Sequence, residues 1–310
     1  MNYAEVMEPF RSQKILITGG AGFIGSHLAE KLSLVSDEIV CLDNYLSGSY
    51  SNHIAGVSYI EGDVNDILDI FGFQKFDFIF HFGEYSRVEQ SLNEPHVVLT
   101  NTYKSFSSLL QFWQSSGAKL IYSGSSTKFA DNGTGRHLSP YTAAKALNTE
   151  LLFDFARWYK LPFVTVYFYN VYGGRELRSG KYSTVIGKFK DLVSNGVNEL
   201  PITKPGTQRR NFTHIEDILE GILLAAGNGE GDGYGIGANE SYSIIEVSNL
   251  FGCEHEFQDA SPSNRMNGEL HTDKIKGLGW TQKCNLEEDI ATFLHETLKK
   301  NAKAFGKEGQ

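Results

Sequence analysis

The chain has 310 residues, 41% of them hydrophobic and 21% charged, which suffices for a large buried core in one long domain or two. Its formal net charge of -9 argues against a nucleic-acid surface, which needs clustered Lys and Arg, while leaving room for a local basic pocket that takes a small phosphorylated ligand. Three widely spaced cysteines without a CxxC pair argue against a disulfide framework or a zinc site, no apolar run is long enough to span a membrane, and the acidic, polar stretch from Met1 to Ser12 does not read as a signal peptide, so a cytoplasmic protein is expected.

Short apolar runs alternate with helical patterns through the first half. Lys14–Thr18 reads as the first strand, Phe23–Leu34 as the first helix, and Glu38–Asp43 as the second strand. Val57–Glu61 and Phe76–His81 follow as strands three and four. A long helix is expected over Pro95–Ser116, a fifth strand over Lys119–Ser123, a helix opened by Ser139-Pro140 and running to about Tyr159, and a sixth strand over Phe163–Phe168. Near-continuous apolar strands separated by helices indicate a parallel sheet covered on both faces. After about Asn170 the rhythm breaks. Helices are expected near Thr184–Val193, His214–Ala226 and Leu286–Lys300, with short extended pieces around Pro201–Thr203 and Tyr234–Ile236. The fold class is therefore α/β: a Rossmann-type, doubly wound parallel sheet with a smaller, irregular α/β C-terminal substrate lobe. Residues 1–170 form the cofactor domain, joined by segments returning from the second half, and 171–310 form mainly the lobe.

Gly19, Gly22 and Gly25 follow the first strand and open the first helix. The first glycine permits the tight turn, the second lets backbone approach a pyrophosphate, and the third lets helix and strand pack closely, with the helix N-terminus facing the anion. Asp43 ends the second strand, where a carboxylate bonds the adenosine ribose of NAD, and the residues that follow contain no Arg or Lys to pair with a 2′-phosphate. NAD is expected over NADP, with Asp63 and Val64 beside the adenine. Tyr141 and Lys145 stand i, i+4 on the helix after the fifth strand. An ammonium beside a phenol favours the phenolate, so Tyr141 suits proton removal from a sugar hydroxyl while a nicotinamide takes the hydride. Ser125, in the hydroxyl-rich Ser123–Thr127 end of that strand, is the candidate for orienting the proton transfer. His81 reads as packing at the end of the fourth strand, and no histidine shows metal spacing, so no metal is expected.

From about Lys14 to Lys300 the chain resembles the extended short-chain dehydrogenase/reductase family, in its nucleotide-sugar (UDP-glucose 4-epimerase-like) epimerase/dehydratase branch. The resemblance rests on Gly19-Gly20-Ala21-Gly22-Phe23-Ile24-Gly25, Leu42-Asp43-Asn44, Gly62-Asp63-Val64, Ser86-Arg87-Val88, Leu138-Ser139-Pro140-Tyr141 with Lys145, Phe168-Tyr169-Asn170-Val171-Tyr172-Gly173, Arg210-Asn211-Phe212, and Asp273-Lys274 to Leu278-Gly279-Trp280. It implies that Phe23, Ile24, Asn44, Ser47, Gly83, Glu84, Tyr85, Asn101 and Tyr169 join Tyr141, Lys145 and the glycines around the cofactor. It implies that Ser86, Arg87, Ser125, Ser126, Thr127, Asn170, Arg210 and Arg265 face the substrate, with Asn170, Arg210 and Arg265 toward its diphosphate. Four departures stand out: Ser126 and Thr127 where acidic-pair dehydratases carry Asp-Glu, Phe129-Ala130 where most relatives have Tyr-Gly, Glu84-Tyr85 in place of small and amide residues beside the nicotinamide, and Tyr167 in place of Arg. The function expected is an NAD-dependent nucleotide-sugar 4-epimerase acting on a UDP-linked rather than a GDP-linked sugar, as a homodimer, with no nucleic acid or membrane partner. The alternatives are a 4-dehydrogenase that releases the keto sugar and a non-catalytic NAD-binding sensor; the acidic balance and the intact Tyr141–Lys145 pair disfavour an RNA-associated relative.

Overall fold

The computed structural model of the chain describes residues 3–127, 135–260, 266 and 268–305. At its centre, strands β1 (Ile15–Thr18), β2 (Ile39–Asp43), β3 (Ser58–Glu61), β4 (Phe78–His81), β5 (Lys119–Ser125), β6 (Phe163–Phe168) and β7 (Gly231–Ile236) form one seven-stranded sheet. Its order is β7-β6-β5-β4-β1-β2-β3 and every pairing is parallel. The chain leaves β1 toward β2 and β3, then returns to place β4 on the other side of β1. A crevice opens at that reversal, outside the carboxyl ends of the strands, and this is where such sheets bind ligands.

Alternation along β1 shows why the central strands are apolar. Ile15 and Ile17 pack into a core with Leu28, Leu32, Ile218, Ile222 and Trp280, whereas Leu16 points to the opposite core with Phe106, Trp113 and Leu120. Both faces are covered, so neither tolerates the polar alternation of a half-exposed strand. The expected strands and long helices recur with ends shifted by a few residues. One expected strand grows: the piece around Tyr234–Ile236 is β7, a full edge strand of the main sheet, although Gly231, Gly233 and Gly235 weaken its strand character in sequence. The expected helix over Pro95–Ser116 is divided. An α turn at Pro95–Val98 passes into a π-helical segment, Leu99–Lys104, before the α-helix Ser105–Ser116. The extra residue per turn frees a carbonyl from the ladder, and the Thr102 carbonyl accepts from Asn148 Nδ2 at 2.9 Å.

The second half adds a separate core, with Ile186, Phe189, Leu200, Ile202, Phe212, Val247 and Leu286 in contact. The strand Glu199–Thr203, paired in parallel with Glu254–Gln258, gives it Leu200 and Ile202, the helix Val185–Ser194 gives Ile186 and Phe189, and the helix Ile244–Leu250 gives Ile244 and Val247. Among the described residues, no helix is long and apolar enough to cross a membrane, and no group of His, Cys, Asp or Glu is placed to hold a metal ion.

Candidate active site

The turn after β1 shapes one end of the crevice. Gly19 has φ +73°, and a Cβ there would lie 2.8 Å from the Gly83 amide and from the Phe82 carbonyl. At Gly25 a Cβ would lie 2.1 Å from the Gly19 carbonyl oxygen. The turn and helix Phe23–Leu32 therefore approach each other closely only because both positions lack side chains. Gly22 is the N-cap and supplies no capping side chain, which leaves the first-turn amides directed at the crevice.

Asp43 ends β2 and is 7% exposed. Its carboxylate accepts from the Ala21 amide at 2.9 Å and the Tyr45 amide at 2.8 Å. Burial pushes its pKa up, and the backbone hydrogen bonds oppose that rise. Asn44 Nδ2 donates to Asp63 Oδ2 at 2.8 Å and to Asn101 Oδ1 at 3.2 Å, joining the ends of β2 and β3 to the π segment. Asp63 and Val64 line a small recess beside Asp43, Asn44 and Asn101.

A cavity of about 460 Å³ continues from this end into the second half of the chain. Gly19, Gly22, Phe23, Ile24, Gly25, Asp43, Asn44 and Ser47 line one part, and Gly83, Glu84, Tyr85, Ser86, Arg87, Ser125, Ser126, Thr127, Tyr141, Lys145 and Asn170 line the rest. A neighbouring cavity of about 490 Å³ shares Val88, Thr127, Asn170 and Phe212 with it and carries Arg210 and Lys188. The expected residues thus come together from β1, β2, β4, β5 and the helix Pro140–Tyr159. Ser139 fixes the start of that helix through a capping box with Thr142, so Tyr141 lies in its first turn and Lys145 one turn later. Ser125 Oγ is 2.7 Å from Thr127 Oγ1, in a buried hydroxyl group at the end of β5.

One expected residue falls elsewhere. Tyr169 does not line the cavity: it is buried against Gly235 and Gly237, and its hydroxyl accepts from the His271 amide at 3.1 Å. It follows the end of β6, and its neighbours Phe168 and Asn170 line the cavity while Tyr169 turns from it. Asn170 itself sits at φ +38°, an uncommon conformation for a side-chain-bearing residue, held by its Nδ2 bond to the Asn211 carbonyl at 3.0 Å. Arg265 and Phe129-Ala130 lie outside the described residues.

Lys145 has a partner that its spacing from Tyr141 does not reveal. It donates to the Glu84 carboxylate and to the Ser123 carbonyl, and the Lys145 and Glu84 side chains are each 3% exposed. Burial pushes the Glu84 carboxyl up, but the Lys145 ammonium and the neighbouring His81 ring outweigh it and hold the group below its ordinary range. Burial lowers the Lys145 pKa, and Glu84 counters this. Asn148 donates to the same carboxylate at 3.0 Å. His81 packs as expected, fully buried, with Nδ1 2.7 Å from Thr18 Oγ1. The rim is tied by Glu94, which accepts from the Tyr85 and Tyr182 hydroxyls, each at 2.7 Å, and from Lys181 at 2.6 Å.

Sequence reasoning missed Ser183, Thr184, Lys188, Gln208 and Gln258 around the two cavities. Only Thr184 carried a signal, as an N-cap before an apolar-periodic run; its hydroxyl accepts from the Gly187 amide at 2.9 Å.

A sequence model of the NAD dependent epimerase/dehydratase family matches residues 15–237. The chain is 28% identical over 318 residues to a trifunctional UDP-glucose 4,6-dehydratase/UDP-4-keto-6-deoxy-D-glucose 3,5-epimerase/UDP-4-keto-L-rhamnose-reductase of Arabidopsis thaliana, covering 92% of this chain and 47% of that protein. It thus spans about half the length of this relative. It is 26% identical over 295 residues to a putative UDP-glucose 4-epimerase of Methanocaldococcus jannaschii, covering 89% of this chain and 95% of that one. Among solved structures, the UDP-glucose 4-epimerase of Thermotoga maritima with UDP-glucose superposes with a TM-score of 0.83 at 26% identity, covering 93% of this chain and 99% of that one.

Proposed function

The chain belongs to the NAD dependent epimerase/dehydratase family, and within it we propose that it is a 4-epimerase of a UDP-linked sugar. The residues around the glycine turn fit NAD: a cradle that a Cβ would fill, open first-turn amides, and a carboxylate at the end of β2 without a neighbouring Arg or Lys. When bound, NAD supplies the chemistry of accepting a hydride from the sugar C4 and returning it.

The observation that carries the choice of reaction is the chemistry at the end of β5. Ser125, Ser126 and Thr127 line the cavity beside Tyr141. Hydroxyls there can orient a sugar oxygen, but they are poor acids and bases near neutral pH. A 4,6-dehydration must take a proton from C5 and give one to the leaving C6 oxygen, work suited to carboxyl groups. Among the described residues lining this cavity, the carboxylates are Asp43, in the glycine-turn part, and Glu84, committed to Lys145 and Asn148. Epimerisation needs neither. Tyr141 takes the proton of the 4-hydroxyl and returns it, Ser125 orients that oxygen, and Lys145 holds the sugar-proximal end of the cofactor. Arg210, in the second cavity, pairs with the diphosphate, and Asn170, lining both cavities, bridges its two ends. Relatives that bind or act on UDP-sugars support UDP over GDP. Leu99, Tyr103 and Leu147 expose apolar surface on the two helices beside the site, and a second copy of the chain is the proposed cover.

The test uses the full chain with NAD and a panel of UDP- and GDP-sugars. The expected result is a C4 epimer without net NADH and without any product lighter by one water. Tyr141→Phe should slow the first hydride transfer, followed by absorbance in a single turnover, by about 10²–10⁴-fold. A dehydrated product, or a Tyr141→Phe protein as fast as the unaltered one, refutes the assignment.

A further inference from the structure

Glu84 is a buried carboxylate whose oxygens are both engaged inside the protein. One accepts from Lys145, the other from Asn148 Nδ2 at 3.0 Å, and His81 Nε2 lies 3.8 Å from the second oxygen. Asn148 also donates to the Thr102 carbonyl of the π segment at 2.9 Å, so the carboxylate is anchored from two helical segments. Lys145 is equally fixed, by the Ser123 carbonyl and by the face of Tyr122, whose ring centroid is 4.2 Å from the ammonium. A buried ammonium or carboxylate alone is costly to keep ionised, and each group is the other's compensation. Their charges sum to zero at the end of the cavity that Tyr141 shares.

That balance acts on any ligand whose charge changes there. The nicotinamide ring is cationic when oxidised and neutral when reduced, so an uncompensated ammonium beside it favours the reduced form. We propose that Glu84 is a positioning residue that sets the redox preference of the dinucleotide site. By cancelling Lys145 within the protein, it lets the oxidised cofactor bind without repulsion. The role rests on reading the Tyr141–Lys145 end of the cavity as the hydride-transfer end. Among the described residues lining the cavity, the other Lys or Arg is Arg87, which is bonded to the Tyr182 and Ser86 carbonyls and is common to every variant below.

The experiment measures dissociation constants for NAD and NADH on the full chain by calorimetry, with circular dichroism to establish folding. Glu84→Gln and Glu84→Ala should raise the ratio of the NAD constant to the NADH constant by about tenfold, the scale of one unit charge acting over several ångströms in a partly polar site. The double variant Glu84→Gln with Lys145→Met is again neutral, and its ratio should return to that of the unaltered protein, even though losing a ribose contact weakens both forms together. A neutral replacement of a buried ion pair is generally tolerated, and Glu84→Ala provides a second single variant if Glu84→Gln does not fold. An unchanged ratio in a folded single variant overturns the proposal, as does a changed ratio that Lys145→Met fails to restore. No sugar enters the assay, so either result leaves the epimerase reading standing. Binding of neither form by the unaltered protein refutes the dinucleotide site itself, and this role with it.

Discussion

Gly25→Ala tests the glycine cradle directly. The added Cβ would stand 2.1 Å from the Gly19 carbonyl oxygen, 2.9 Å from its carbon and 3.0 Å from the Gly20 Cα. Ordinary contact begins near 3.4 Å, so the oxygen and the new methyl must separate by more than about 1 Å, well beyond what packing absorbs without cost. Every clashing atom is backbone, and no side chain can swing away. Gly19 cannot retreat either, since its own position already approaches Phe82 and Gly83 on β4's exit. Relief must come from moving the start of the helix Phe23–Leu32, and with it the amides that face the pyrophosphate. The expected cost is about 1–3 kcal/mol in stability and a loss of NAD affinity of tenfold or more, about 1.4 kcal/mol. Gly117→Ala is the control. Gly117 caps the helix Ser105–Ser116 at φ +71° with nothing within 4 Å of the added methyl, so it should cost stability by about 1–2 kcal/mol with NAD affinity unchanged. Calorimetric titration with NAD and thermal denaturation of both variants separate the two effects. A folded Gly25→Ala protein that binds NAD as tightly as the unaltered one refutes the cradle.

The Asp43 carboxylate lines the glycine-turn part of the cavity, where it would repel a 2′-phosphate, so NAD should bind at least about tenfold more tightly than NADP; equal affinities by titration would remove this role. Arg210→Ala should weaken UDP binding by about 1.5–3 kcal/mol while NAD affinity stays constant, because Arg210 lines the second cavity and not the first; calorimetry with UDP alone suffices. Bonds from Lys181, Tyr182 and Tyr85 hold the Glu94 carboxyl at about 2, below its ordinary 4.5. The stability it provides is therefore fully present above pH 4.5 and lost as pH falls through about 2. Denaturation midpoints of the unaltered protein and Glu94→Gln should differ at pH 6 and converge in acid, and a gap that persists undiminished toward pH 2 contradicts the clamp.

The central strands were legible because both of their faces are buried, which yields apolar runs such as Ile15-Leu16-Ile17 in β1 and Phe78-Ile79-Phe80 in β4. The glycine turn and the placement of Tyr141 and Lys145 on one helix were legible because each depends on spacing within one local segment. β7 was only partly readable: its glycines accommodate neighbours, with a Gly235 Cβ reaching to 2.0 Å from the His271 carbonyl oxygen and a Gly233 at φ +99°, and neither requirement shows in hydrophobic period. The π segment left no pattern, since its extra residue is compensated from outside, by Asn148. Tyr169 was misplaced because a motif names residues without saying which way alternate side chains face. Glu84 stood out as a departure in a familiar motif, but its partner lies 61 positions away, and only the packing of β4's exit against the helix Pro140–Tyr159 joins them.

This last contact bears on how relatives with different chemistry should be weighed. Dehydratase-bearing and epimerase relatives match the chain at 28% and 26% identity, a difference too small to select a reaction. Both reactions begin with the same oxidation at C4, so the shared machinery of glycine turn, Tyr141 and Lys145 cannot discriminate between them either. Discrimination belongs to the groups that act after that oxidation. A dehydratase needs an acid and a base free to exchange protons with C5 and C6. Here the end of β5 presents hydroxyls, and Glu84 spends its oxygens on Lys145 and Asn148. Releasing that carboxylate for proton transfer would strand a buried ammonium, at a cost of several kcal/mol. The buried pair therefore works against dehydration twice, by occupying the carboxylate and by penalising its protonation, and this supports a reaction that returns the hydride to C4 without touching C5.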